Sequence, residues 1–155
     1  MRQLPASDLV RDAVHGKRVS PGWVVWMLGI DPTRNFVCVS YSNKLSGKLA
    51  RDCLTIMQSR WYRDAFPGTI ISARRKSMDF ETTRQGGRLA TAITGTLTGR
   101  GGDIIILDDA IKPDGADSET IRENVNEWYC STLASRRNNK ESGAIIAVMQ
   151  RLHQF

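Results

Sequence analysis

Two adjacent carboxylates, Asp108 and Asp109, close an unbroken aliphatic run, Ile104-Ile105-Ile106-Leu107. A carboxylate fixed at a strand end can help hold a hard divalent cation, and a second can orient a water for attack. Adjacent strand residues point to opposite faces, so the two acids divide into separate roles. Three other sets of residues carry possible chemistry. Gly16-Lys17 offers a phosphate a permissive backbone and an ammonium. Arg100 sits in the glycine loop Thr94-Gly95-Thr96-Leu97-Thr98-Gly99-Arg100-Gly101-Gly102, placed to stabilise charge on a transferred phosphoryl group. The basic clusters Arg74-Arg75-Lys76 and Arg136-Arg137 suit the phosphates of a nucleic-acid backbone.

Four large aliphatics are too few for a helix with one apolar face. They fit a short strand buried on both sides, as in a parallel sheet covered by helices. Such sheets bind ligands at the carboxyl ends of their strands, where the acids stand. An aliphatic strand ending in two acids is the Walker B pattern of P-loop ATPases, in which the first acid helps hold Mg2+ and the second orients or activates water.

Around that strand the sequence predicts a short buried helix over Trp23–Leu28, ended by Gly29 and Pro32, and a buried strand over Phe36–Ser40. Ser42 is placed to cap a helix from Asn43 to Gln58, with Leu45, Leu49, Cys53 and Ile56 on its apolar face. Arg60–Gly68 is an aromatic connector. Asp79–Thr83 and Arg88–Ala92 form a hairpin around Gln85-Gly86-Gly87. Pro113-Asp114-Gly115 is a turn. A helix is predicted from Ser118 to Ser135, turning Ile121, Val125, Trp128 or Tyr129, and Leu133 to one side. Ala144–Met149 is a further buried strand. Strands alternating with helices, without internal repeats, point to an α/β fold with a mainly parallel sheet.

The 155 residues suffice for one domain with a core. A net charge of +6 favours polyanionic partners. Cys38, Cys53 and Cys130 lie far apart and odd in number, which implies buried thiols in a reducing compartment and excludes a disulfide frame. No apolar run approaches the length that spans a bilayer, so a soluble intracellular protein is expected.

Taken in order, the chain reads Gly-Lys, Trp-x-Leu-Gly-x-Asp-Pro, a strand into Ser-Tyr-Ser, Trp-Tyr-Arg-x-x-Phe-Pro-Gly, Gly-Thr-Leu-Thr-Gly-Arg-Gly-Gly-Asp, Ile-Leu-Asp-Asp, Asn-Glu-Trp and Met-Gln-Arg-Leu-His. This series resembles the ATPase part of the large terminase subunit of tailed bacteriophages and prophages, the motor that packages DNA into capsids. The resemblance implies a RecA-like P-loop NTPase fold in three layers, incomplete at both ends. Residues 1–14 would be a poorly defined N-terminal segment and residues 15–155 a partial ATPase domain, with the family's C-terminal RNase H-like nuclease absent. It implies ATP and Mg2+ as cofactors, Asp108 as the metal carboxylate and Asp109 as the catalytic carboxylate. Gly16 and Lys17 would bind nucleotide, and Met149-Gln150-Arg151 would couple hydrolysis to motion. The implied partners are double-stranded DNA, the small terminase subunit, the portal protein and further copies in a ring. The implied place is the bacterial cytoplasm, transiently at the procapsid portal.

The phosphate loop departs from the family pattern. A full loop reads G-x-x-x-x-G-K-[ST]. Here Arg11 stands at the first glycine, Asp12-Ala13-Val14 replaces the family's Pro-Pro-Arg, and Arg18 replaces the hydroxyl residue. A truncated chain with a degenerate loop, unable to hydrolyse ATP at a meaningful rate, is the expected consequence. Two other classes compete. A two-metal nuclease fares badly, because its carboxylates come from several separated positions. A non-enzymatic nucleic-acid-binding remnant draws on the charge and the altered loop.

Overall fold

The aliphatic run before the acid pair is strand β5 (Ile104–Asp108), and its first four residues are buried. The computed structural model describes residues 19–75, 78–93, 95, 97 and 99–149, with residues 19, 20, 74 and 75 described by backbone alone. The poorly defined N-terminal segment expected over residues 1–14 lies outside the described residues.

Helix α1 (Val19–Ile30) leads through the Asp31–Arg34 turn into β1 (Asn35–Ser40), whose last five residues are buried. Helix α2 (Asn43–Gln58) begins where predicted, with Ser42 Oγ accepting from the Leu45 amide at 3.2 Å. Its buried stripe is rotated from the predicted one. Ser46, Gly47, Leu49, Ala50, Cys53 and Met57 face inward, while Leu45 and Ile56 are half-buried. The reason is polar: Ser46 Oγ donates to the Thr91 carbonyl at 2.5 Å and draws that side of the helix onto the sheet.

The aromatic connector is a short helix, α3 (Arg60–Ala65), capped by Ser59. Tyr62 is fully buried there, its hydroxyl donating to the Val25 carbonyl at 2.8 Å. Strand β2 (Ile71–Arg75) has no counterpart in the sequence reading, because Ile-Ser-Ala-Arg-Arg lacks an apolar alternation. It is an edge strand, where such polarity protects against pairing. The predicted hairpin forms between β3 (Asp79–Thr82) and β4 (Gly87–Ala92). Its positive φ falls on Gln85, at 68°, rather than on the glycines. Gly86 serves close approach instead: a Cβ there would meet the Pro32 carbonyl oxygen at 2.4 Å.

After β5, Pro113–Gly115 forms one 3-10 turn, and helix α4 covers Glu119–Trp128. The predicted longer helix gives way to a π turn over Tyr129–Leu133 and a 3-10 turn over Ala134–Arg136. The wider π turn changes the phase, so that Trp128, Tyr129 and Leu133 all reach the sheet. Ile121, predicted on that face, is 42% exposed.

Strand β6 (Ala144–Val148) is the second correction to burial. It was expected to be buried, yet its residues are exposed or half-buried, because among the described residues β5 is its one neighbour. The six strands run in the order β2-β3-β4-β1-β5-β6. Strands β4, β1, β5 and β6 are mutually parallel, and the β2-β3 and β3-β4 pairs are antiparallel. One core layer joins α1, α2 and α3 to Phe36, Cys38, Phe80, Ile104 and Ile106. The other packs α4, the π turn and Leu97 on Val37, Val39, Ile105 and Leu107. The architecture is thus a mixed α/β fold in three layers. Cys38 and Cys53 are buried as expected, whereas Cys130 is exposed. Among the described residues no helix is long and apolar enough to cross a membrane.

Candidate functional site

Parallel strands leave a sheet along a common edge, and the acid pair stands on that edge. Asp108 is the last residue of β5, in register with Val148 of β6. By alternation its side chain shares the face of Ile104 and Ile106, toward α1 and α2. Asp109 breaks the alternation, adopting a left-handed φ of 49°. Its backbone is tied on both sides, the amide donating to the Val148 carbonyl at 2.9 Å and the carbonyl accepting from the Tyr41 amide at 3.0 Å. Such a conformation is uncommon outside glycine and collects at functional sites. Both acids are half-buried.

Segments far apart in sequence meet here. The Ser40 carbonyl accepts from the Ile93 amide at 2.9 Å, which brings the exit of β4 beside that of β1. Met149, the first residue of the predicted coupling motif, follows directly on Val148 and is 46% exposed. The strand-Ser-Tyr-Ser and Asp-Asp motifs therefore converge with Met149. Gly16, Lys17, Gln150 and Arg151 lie outside the described residues.

Arg100 lies elsewhere. Its guanidinium pairs with Asp79 of β3 at 2.8 Å. It precedes β5, whose amino end is fixed by the Asp103 amide donating to the Asn35 carbonyl at 2.8 Å. The length of β5, roughly 13 Å at the usual strand rise, separates that end from the acids. The fold does not bring Arg100 together with Asp108 and Asp109. Arg136 and Arg137 are also at the amino edge, where the Arg136 carbonyl accepts from the Gly102 amide at 3.0 Å. Both are half-buried rather than presented on a free loop. Arg74 and Arg75 end the opposite edge strand, β2, and Lys76 is outside the described residues. Four strand spacings, about 19 Å, lie between β2 and β5, which parts the backbone of Arg74 and Arg75 from the β5 side of the sheet.

The donor set bears on which ion could bind. Among the described residues no three His, Cys, Asp or Glu side chains gather as a metal-binding group. One or two carboxylates at a sheet edge suit Mg2+, which keeps its waters and takes substrate oxygens, better than zinc or calcium, which take more protein ligands. The nearby thiols are inert: burial raises Cys38 and pushes Cys53 to about 12.

Sequence reasoning passed over two residues. Tyr41 holds Asp109 by its backbone amide, which no side-chain pattern reveals. Arg88 is 1% exposed, level with Phe36 and Phe80, which belong to the core layer toward α1 and α2. Its signal was present: in Arg88-Leu89-Ala90-Thr91-Ala92 the two-residue period puts the arginine on the alanine face, and Ala90 and Ala92 are buried. A scan against protein-family models and a search of curated proteins both find no match to this chain.

Proposed function

We propose that this protein is the ATPase part of a phage terminase large subunit, a RecA-like P-loop domain that couples ATP hydrolysis to translocation of double-stranded DNA. The observation that carries the reading is the convergence of the acid pair, the Ser-Tyr-Ser segment and Met149 on one carboxyl edge. In this reading Asp108 helps hold Mg2+, and Asp109 takes the proton of the attacking water or orients it. Gly16 and Lys17 receive the phosphates, and the segment from Met149 senses the acid pair through Val148. Bound Mg-ATP supplies the polarised phosphoryl group. The small terminase subunit and portal protein are the partners this reading carries.

The altered phosphate loop makes the test a comparison. Mg-ATP should barely shift the melting temperature of this chain: with Kd near 1 mM and ligand at the same level, stabilisation is only about 0.4 kcal/mol. A variant with Pro-Pro-Arg at positions 12–14 and Arg18→Ser should gain a clear Mg-ATP-dependent shift and phosphate release. Both gains should disappear on Lys17→Ala, and release alone on Asp109→Asn. A repaired variant whose melting is unmoved by Mg-ATP would overturn the reading. If it nonetheless bound duplex DNA with a steep salt dependence, the nucleic-acid-binding alternative would stand in its place.

A further inference from the structure

Away from the acid pair, an open groove of about 300 Å3 lies between the end of α2, the end of α3 and the start of β2. Met57, Phe66, Pro67, Ile70 and Ile71 line it, and Arg63 is the charged side chain beside them. Ile70 is 58% exposed and Phe66 is half-buried, so apolar surface faces water here without a cover.

The groove is built before anything enters it. Thr69 ties it to α1 and α3, its hydroxyl donating to the Leu28 carbonyl and its amide to the Phe66 carbonyl, each at 3.0 Å. The Phe66 ring stands edge-on to Trp26, with centroids 5.6 Å apart. It covers Gly29 so closely that a Cβ there would meet the ring at 2.7 Å. Ile70 is fixed through its carbonyl, which accepts from the Thr83 amide at 2.8 Å. A wall already ordered removes that entropy loss from binding.

The neighbouring strand sets the shape of the occupant. Among the described residues β3 is the one neighbour of β2, so the other side of β2 offers backbone donors and acceptors to a further strand. A strand laid there turns alternate side chains to the α2 face, where Met57, Phe66 and Ile71 pack. Charge sets its chemistry. On α3 the acid Asp64 is already engaged by Arg60 at 3.7 Å, whereas among the described residues Arg63 has no ion pair. Arg74 and Arg75 close β2 at its other end. Arginine positions therefore bracket the edge. They deter pairing with another copy of this chain, whose net charge is +6, and they complement an acidic strand.

We propose that the β2 edge and its groove dock an extended acidic segment of a partner protein. The segment pairs with β2 as an added strand, sets a large aliphatic side chain among Met57, Phe66 and Ile70, and places a carboxylate against Arg63. Backbone pairing supplies affinity, and the groove and arginines supply the choice of sequence. The apolar wall gives a phosphate backbone nothing to bind, which favours a protein segment over nucleic acid. Four strands separate this edge from β6, so the docking face is distinct from the acid pair and does not depend on the ATPase reading.

The test selects from a random library of blocked peptides of about eight residues on the immobilised whole chain, with Ile70→Asp for counter-selection. Enriched peptides should combine a large aliphatic residue with nearby aspartate or glutamate. By fluorescence anisotropy an enriched peptide should bind Ile70→Asp and Arg63→Glu each on the order of tenfold more weakly than the parent. Replacing the peptide's acids by lysine should reverse the preference, so that Arg63→Glu binds it more tightly than the parent. Both positions are exposed, so the variants keep the core, as matching circular dichroism melts will report. N-methylation at successive peptide positions should alternate between loss of binding and tolerance, because only alternate amides face β2.

Enrichment without an acidic and aliphatic pattern, or binding unchanged by both substitutions, overturns the proposal. So does N-methylation that weakens binding at every position or at none. Duplex DNA held through Ile70 and Arg63 in place of any peptide would make the edge a nucleic-acid surface. Dimers that Ile70→Asp abolishes would assign the groove to a second copy, and either result overturns the acidic partner.

Discussion

Asp109 allows strain and charge to be separated at one position. Its φ of 49° lies in the left-handed region, which costs an L-residue roughly 1–2 kcal/mol and asparagine or aspartate less. The backbone cannot relax freely, since its amide and carbonyl are engaged by Val148 and Tyr41 at 2.9 and 3.0 Å. Moving φ would forfeit bonds of about 0.5–1.5 kcal/mol each. Asp109→Val must therefore accept the strain or break the ties, and either route costs about 2 kcal/mol relative to Asp109→Asn. For a domain of this size that is a fall of roughly 4–8 °C in melting temperature. Asp109→Asn should stay within about 0.5 kcal/mol of the parent, because asparagine tolerates the conformation. Asp109→Gly relieves strain but loosens the unfolded chain, and should fall within about 1 kcal/mol of the parent. Thermal and urea unfolding of the three variants give the order directly. Valine tolerated as well as asparagine would refute the strain, and a large loss with asparagine would show that the charge itself stabilises the fold.

Three further outcomes test the scaffold. Tyr62→Phe removes the donor to the Val25 carbonyl in a fully buried site and should cost about 1 kcal/mol by urea titration, with little change in cooperativity. Gly86→Ala places a Cβ against the Pro32 and Arg34 carbonyl oxygens, at 2.4 and 2.6 Å, and should cost on the order of 3 kcal/mol or prevent folding, as circular dichroism will report. The Thr33 hydroxyl, the Thr33 amide and Arg34 hold the Asp31 carboxyl below its usual range. A depressed folded pKa contributes stability above the unfolded value, near 3.9, and loses it as pH falls through the folded value. Asp31→Asn should thus cost a few tenths of a kcal/mol at neutral pH, after allowance for solvent screening. The cost should vanish at strongly acidic pH, and a cost independent of pH would point to the turn geometry instead.

The elements with strong local signals were legible in the sequence. The Ser42 cap and the Asn43–Gln58 helix were placed to the residue, and the β1, β5 and hairpin strands to within one or two. What escaped was decided by neighbours. Strand β2 pairs through its backbone and has little apolar pattern of its own. Strand β6 has a core-like composition, but among the described residues it has β5 on one side alone, which leaves it exposed or half-buried. The π turn after Trp128 depends on packing Tyr129 and Leu133 together on the sheet, which a 3.6-residue period cannot express. The acid pair was found from composition and position. Arg88 was passed over because a lone arginine in a strand is ordinarily a solvent-facing residue.

Strand direction sorts the remaining candidates. Because β1, β4, β5 and β6 are parallel, their exits, Ser40-Tyr41, Ala92-Ile93, Asp108-Asp109 and Val148-Met149, all fall on one edge. Their entries, with Arg100, Gly102 and Arg136, fall on the other. Residues close in sequence are thereby parted: Arg100 precedes Asp108 by only eight positions, yet a whole strand intervenes. Residues more than a hundred apart, Tyr41 and Val148, are brought to the same acid. A charge meant to act at the carboxyl edge from within this fold must come from an exit loop or from the core beneath it. Arg100 meets neither condition.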